Sequence, residues 1–177
     1  MMYAWPIHRS STFIVAGLPM AQPRAKARAF ATGKLNTQGK EIHIAQVYNP
    51  KGGITQWKYE IKECFKKSGI PYYDGPIGVE IIFYFPRPAA YSRETDFIQR
   101  KGAFPPGCLP MTKRPDRDNL DKAVLDSLKG IAWKDDNQVF CGPPEKWYCA
   151  LPGHGQDVSC AVVTITHYLK IDECRKF

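Results

Sequence analysis

The sequence predicts an α/β (α+β) fold, a single domain in which a mixed sheet of about four strands packs against two main helices in the order β-α-β-α-β-β. Three observations carry this expectation. Two segments repeat apolar residues at helical spacing, and four runs are rich in β-branched and aromatic residues between glycine and proline breakers. The length of 177 residues, 44% of them hydrophobic, suits one domain with a substantial core.

Thr12-Phe13-Ile14-Val15-Ala16-Gly17 reads as a short buried strand, closed by Gly17 and Pro19. From Pro19 to Gly53 the chain reads as an irregular basic loop, with Arg24, Lys26, Arg28, Lys34, Lys40 and Lys51 against the single acid Glu41. Between Thr55 and Lys67 the residues Trp57, Ile61, Cys64 and Phe65 recur at helical spacing, and Ser68-Gly69 with Pro71 supplies the stop. Ile77 to Phe85 lies between Gly75-Pro76 and Pro86 and reads as a second strand. Arg87 to Lys113, with Pro88, Pro105, Pro106 and Pro110, reads as an inserted surface loop.

A second helix fits Asn119 to Lys129, with the stripe Leu120, Val124, Leu125 and Leu128, a cap at Asp118 or Asn119, and Gly130 as its stop. Gln138 to Phe140 starts a third strand that resumes around Lys146 to Ala150, beyond Gly142-Pro143-Pro144. Asp157 to Leu169 reads as a long fourth.

A formal charge of +8 would attract a polyanion, and nucleic acid is the commonest large one in cells. No apolar run approaches the ~20 residues a bilayer crossing needs, which points to the cytoplasm. The cysteines (Cys64, Cys108, Cys141, Cys149, Cys160 and Cys174) form no C-x-x-C pair and read as reduced structural thiols. Cys141, Cys149, His154 and Cys160 follow no standard zinc spacing. His8, His43 and His167 lack a nucleophile at recognisable spacing, so general-base histidine catalysis has no support.

The segment from Arg114 to Val139 carries the chemistry: a D-x-D-N opening at Asp116 to Asn119, an amphipathic helix, and a W-x-D-D-x-Q close at Trp133 to Gln138. Pro115 biases Arg114 toward an extended backbone, so Asp116 and Asp118 are expected to leave a strand-like stretch on one side. Carboxylates at this density suit magnesium, which takes hard oxygen donors and keeps several waters, with manganese as its substitute. Lys122, four residues after Asp118, lies one helical turn on and can face the same point. Taken separately, Asp118 could simply cap the helix, Lys122 could pair with Asp118 or Asp126, and Asp135-Asp136 could be a polar turn. Occurring together, the motifs are hard to dismiss.

This segment closely resembles the RusA family of Holliday-junction endodeoxyribonucleases, in both its D-x-D-N and W-x-D-D-x-Q elements and in the helix lysine between them. The resemblance implies that the turn returns Trp133 to Asp136 beside the helix start. It implies that Asp116, Asp118 and Asp136 are metal-binding catalytic acids, that Lys122 is the catalytic lysine, and that Asp135 is an adjacent acid at the metal. Weaker likeness covers Phe13 to Gly17 with Pro19 and Arg24, and Val158 to Tyr168. The implied function is Mg2+- or Mn2+-dependent paired cleavage of four-way junctions in DNA recombination and repair, by a homodimer whose two-fold axis matches the junction. The implied setting is a bacterial or phage-derived, nucleoid-associated protein.

Arg24, Lys26, Arg28, Lys34, Lys40, Arg114 and Arg117 are the expected DNA-binding cations, with Phe30 and Tyr48 as rings able to stack or wedge. Trp57 and Trp133 are expected to be structural. Two other readings stay open: a metal nuclease acting on other branched or single-stranded DNA, and a noncatalytic DNA-binding module.

Overall fold

The computed structural model describes residues 8–24, 26–48, 53–88, 108–149 and 159–169. Its strands are β1 (His8–Ala16), β2 (Lys26–Leu35), β3 (Glu41–Tyr48), β4 (Ile77–Phe85), β5 (Leu109–Pro110), β6 (Val139–Cys141), β7 (Pro144–Tyr148) and β8 (Cys160–Tyr168). Its helices are α1 (Ile54–Ser68) and α2 (Arg117–Leu128), with a 3-10 turn at Asp136–Gln138. The α/β class with two helices and a mixed sheet is as the sequence predicts. The strand count is not: the main sheet has six strands in the order β1-β8-β4-β7-β5, with β6 also paired to β4, and β2-β3 form a second, two-stranded sheet.

The main sheet grows from β4, whose bounds agree with the sequence reading. β8 runs antiparallel to β4 and in turn pairs β1 from His8↔Tyr168 to Ala16↔Cys160. On its other edge β4 runs parallel to β6 and β7. A parallel partner needs a crossover, and α2 supplies it. Between β6 and β7 the chain kinks at Gly142, where φ is +112° and a Cβ would stand 2.1 Å from the Val79 carbonyl oxygen. Only glycine lets the kinked strand approach β4 this closely.

Both helices contribute to one core cluster. α1 buries Trp57, Ile61 and Phe65, spaced by four, and α2 buries Leu120, Ala123, Val124, Ser127 and Leu128. They meet Val15 of β1, Ile77, Val79, Ile81 and Phe83 of β4, and Val163 and Ile165 of β8. On the opposite face the β1-β8 pair is laced by hydroxyl contacts, Ser10 to Thr166 and Thr12 to Thr164, both at 2.9 Å.

Three local expectations are corrected. The basic stretch 19–53 is not an irregular loop: its centre is the β2-β3 hairpin, turned through Asn36 to Lys40 by hydrogen bonds from Gln38 and Lys40 amides to the Asn36 side chain. The end of the 87–113 insertion is ordered as β5, which pairs β7, while residues 89–107 lie outside the described residues. α2 starts two residues earlier than expected, so Asp116 holds the N-cap position and Asp118 lies in the first helical turn. The side-by-side extended arrangement expected for these two acids therefore does not form. Lys51, His154, Asp157 and Cys174 fall outside the described residues.

Candidate functional site

The acids of the D-x-D-N and W-x-D-D-x-Q motifs flank α2, and each is set by different local physics. Asp116 is extended, with φ −69° and ψ 140°, and makes no side-chain cap bond. Its carboxylate instead meets the Arg24 guanidinium at 3.1 Å, with both groups largely in solvent. The preceding segment is held from below by Lys146 of β7, whose ammonium donates to the carbonyls of Lys113 at 2.8 Å and Pro115 at 2.7 Å. Burial draws the Lys146 pKa down, while the nearby Asp116 charge pulls it back up. Asn119 is tied to the chain entering the hairpin, its carbonyl accepting from the Gln22 amide at 2.8 Å. Between these pieces lies a cleft of about 260 Å3 lined by Ala21, Gln22, Arg24, Arg114, Pro115, Asp116 and Asn119.

Asp118 and Lys122 both lie exposed on the side of α2 turned away from the core. The shared face expected from their four-residue spacing holds. Asp121, outside the expected set, is partly buried on the same helix. Burial pushes its carboxyl above the ordinary carboxylate range, with Arg117 pulling it down and Asp136 pushing it further up. Its signal was available in the sequence, three residues after Asp118 and four after Arg117 on one helix.

At the far end of α2, Lys129 takes the C-cap position and Gly130 follows with φ +80°, a left-handed stop of the expected kind. The chain then turns back, with the Gly130 amide donating to the Trp133 carbonyl at 2.7 Å. Trp133 is fully buried and its indole N–H donates to the Asp136 carboxylate at 3.1 Å. Gln138 ties the turn together. Its side-chain oxygen accepts from the Lys134 and Asp135 amides at 2.8 and 3.0 Å, and its nitrogen donates to the Gly75 carbonyl at 3.0 Å, docking the turn beside β4.

The two adjacent acids have different work. Asp135 caps the 3-10 turn by accepting from the Asn137 amide and forms an ion pair with Lys129 at 2.6 Å. The Lys129 hydrogen bond, then the Asn137 amide, hold its carboxyl below the ordinary carboxylate value. Asp136 is oriented by one buried donor and lies close enough to α2 for its charge to be felt at Asp121.

Among the described residues no three acidic, histidine or cysteine side chains share one coordination sphere. The donor set still suits magnesium, which is commonly held by one or two carboxylates with the remaining positions filled by water and substrate phosphate. Asp116 and Asp118 are solvent-accessible hard-oxygen donors of this kind.

The expected DNA-binding cations divide by location. Lys26, Arg28 and Lys34 lie on β2, Lys40 ends the hairpin turn, and Arg24 and Arg114 line the cleft. Arg117 opens α2, close enough to Asp121 and Lys146 to act on both charges. Phe30 is 43% exposed, whereas Trp57 is 2% exposed and belongs to the core, as the sequence reading had it. Among the described residues no helix is long and apolar enough to cross a membrane.

The chain is 27% identical over 117 residues to "Uncharacterized protein YqaN" of Bacillus subtilis (strain 168), a match that covers 58% of this chain and 80% of that protein. The family model "Endodeoxyribonuclease RusA" matches residues 16–153, from the end of β1 past the end of β7 and across both acid motifs. On that match the chain belongs to the RusA endodeoxyribonuclease family.

Proposed function

We propose that this protein is a divalent-metal-dependent endodeoxyribonuclease that resolves four-way DNA junctions by paired phosphodiester cleavage, acting as a homodimer with one acid cluster per subunit. Family membership supports DNA as the substrate and a nuclease as the class. The observation that carries the chemistry is the division of labour at the turn. Asp135 is spent on the cap and on Lys129, while the buried Trp133 aims Asp136.

In this reading Asp116, Asp118 and Asp136 supply the oxygens for Mg2+ or Mn2+, and Asp135 shapes the turn that presents Asp136. A bound ion would polarise the scissile phosphate and lower the pKa of an attacking water. Lys122, exposed on the Asp118 side of α2, stabilises charge that develops on phosphate oxygens or on the leaving oxygen. Arg24 neutralises Asp116 when no phosphate is near and turns to the backbone of a bound strand when one is. Arg114 lines the same cleft, Arg117 follows Asp116 as the first residue of α2, and both orient that strand.

The test is cleavage of synthetic four-way junctions beside flaps, single strands and linear duplex, with magnesium, manganese or chelator. Junctions are expected to be cut in symmetric pairs. Asp118→Asn and Asp136→Asn are expected to bind junctions but leave them intact. Equal cutting of all branched substrates would replace the junction by a broader target. Salt-sensitive binding with no metal-dependent turnover would reduce the protein to a DNA-binding module.

A further inference from the structure

The β2-β3 hairpin stands apart from the main sheet, and its described side chains are exposed on both faces except for the half-buried Thr32. A lone two-stranded ribbon is only marginally stable in water, so a partner laid along it would add to its stability.

The pairing register sorts its side chains by chemistry. Arg28 lies opposite Gln46 and Phe30 opposite Ile44, which places Lys26, Arg28, Phe30, Ile44 and Gln46 on one face. The Arg28 guanidinium sits 5.4 Å from the centre of the Phe30 ring, consistent with that shared face. The other face carries Ala27, Ala29, Ala31, His43 and Ala45, nearly all bare methyl groups. Four cations, Lys26, Arg28, Lys34 and Lys40, meet a single acid, Glu41.

Resting on the reading that the substrate is DNA, we propose that this hairpin is a groove-binding ribbon that lays its Lys26-Arg28-Phe30 face along a duplex arm of the substrate. The major groove, about 12 Å wide, admits a two-stranded ribbon. Ten residues of β2 at about 3.3 Å each span roughly 33 Å, close to one helical turn of duplex. Lysines and arginines neutralise the groove walls, Gln46 can pair with a base edge, and Phe30 and Ile44 meet apolar base surface such as a thymine methyl.

The root of the ribbon is tied to the start of α2 by the Gln22–Asn119 backbone bond, so its reach is measured outward from the helix that carries Asp118. A second copy of this chain is a poor alternative occupant. Two-fold pairing of the same face would oppose cations to cations.

The test is hydroxyl-radical footprinting of the full-length protein on a four-way junction with arms of about 20 base pairs, in chelator to prevent cutting. The wild-type footprint is expected to extend about one helical turn beyond the crossover. The Arg28→Ala/Phe30→Ala double variant is expected to lose that distal protection and keep protection at the crossover. Its binding should also show a salt dependence shallower by about one counterion. Ala29→Gln, on the opposite face, is expected to keep the full footprint, and its loss would overturn the face assignment.

An unchanged footprint and salt slope in the double variant would overturn the ribbon. So would a change confined to self-association in sedimentation. Failure of the nuclease reading is separately visible: arm protection without cleavage of any DNA by the wild type removes the enzyme and leaves the ribbon.

Discussion

Lys146 offers the sharpest test of how the site is held, because it touches no acid directly yet fixes the backbone that carries Asp116. In Lys146→Met the two carbonyls of Lys113 and Pro115 lose their shared donor. A hydrogen bond from a charged donor contributes about 1.5–3 kcal/mol when desolvated. The Lys113 bond is exposed and water replaces it, so its share is close to nothing, while the Pro115 bond is partly buried. The same burial that lowers the Lys146 pKa makes its charge costly to keep, a cost the methionine avoids. The net loss expected is therefore about 1 kcal/mol, or a fall in Tm of about 2–4 °C for a chain of this size. Activity should fall much further. A shift of about 1 Å in a reacting group costs on the order of a hundredfold. Single-turnover cleavage with enzyme in excess, set beside a melting curve, is expected to show a 10- to 100-fold slower rate in a protein that remains folded. Lys146→Arg should recover part of that rate. A cleavage rate within about twofold of wild type would refute the positioning argument, as would a rate loss fully matched by unfolding at the assay temperature.

Other outcomes follow from the same structure. Gly142→Ala places a Cβ against the Val79 carbonyl at a positive φ and is expected to cost more than about 4 kcal/mol, read as a large drop in denaturation midpoint or as insoluble protein. Asp135→Ala removes the cap of the 3-10 turn and the Lys129 partner, so it should lower Tm and slow cleavage far less than Asp136→Asn, which should abolish cleavage with Tm preserved. His167, stacked on Tyr73 at 4.7 Å, has its pKa lowered by burial and then by Arg9. On acidification the unfolded chain takes its proton first, so stability should fall as pH drops from the ordinary value of 6.5 toward the lowered folded value and level off below it. His167→Phe should flatten that part of the stability profile, measured by urea denaturation between about pH 7.5 and 5.

The elements legible in the sequence were those whose pattern and punctuation agree. Ile77 to Phe85 is legible because Ile77, Val79, Ile81, Phe83 and Phe85 alternate onto the face that packs into the core, with Glu80 exposed on the other, and Pro76 and Pro86 bound it. Trp57, Ile61 and Phe65 mark α1 because all three face the same core. The hairpin escaped because neither of its faces is buried. Alanine alternating with lysine, arginine and phenylalanine carries no apolar period, and its pairing is fixed by backbone bonds and the Asn36 turn. β5 escaped for a different reason: its two residues, one of them proline, take their strand character entirely from β7.

At the site, residue type was legible and direction was not. The sequence places Asp135 and Asp136 side by side, and spacing alone treats them as equals. What separates them is the 3-10 turn: the residue before it must cap it, and the first residue within it is free to point elsewhere. Gln138 makes the same choice from the other end by accepting two amides at once, which fixes the turn against Gly75 and leaves the Trp133 N–H a single carboxylate to meet. In the W-x-D-D-x-Q pattern tryptophan, the first aspartate and glutamine build the turn, and the second aspartate takes the Trp133 N–H. The same logic moves Asp118 from a strand end to a helix. Once Asp116 takes the cap position, Asp118, Asp121 and Lys122 are placed by helical spacing rather than along an extended segment.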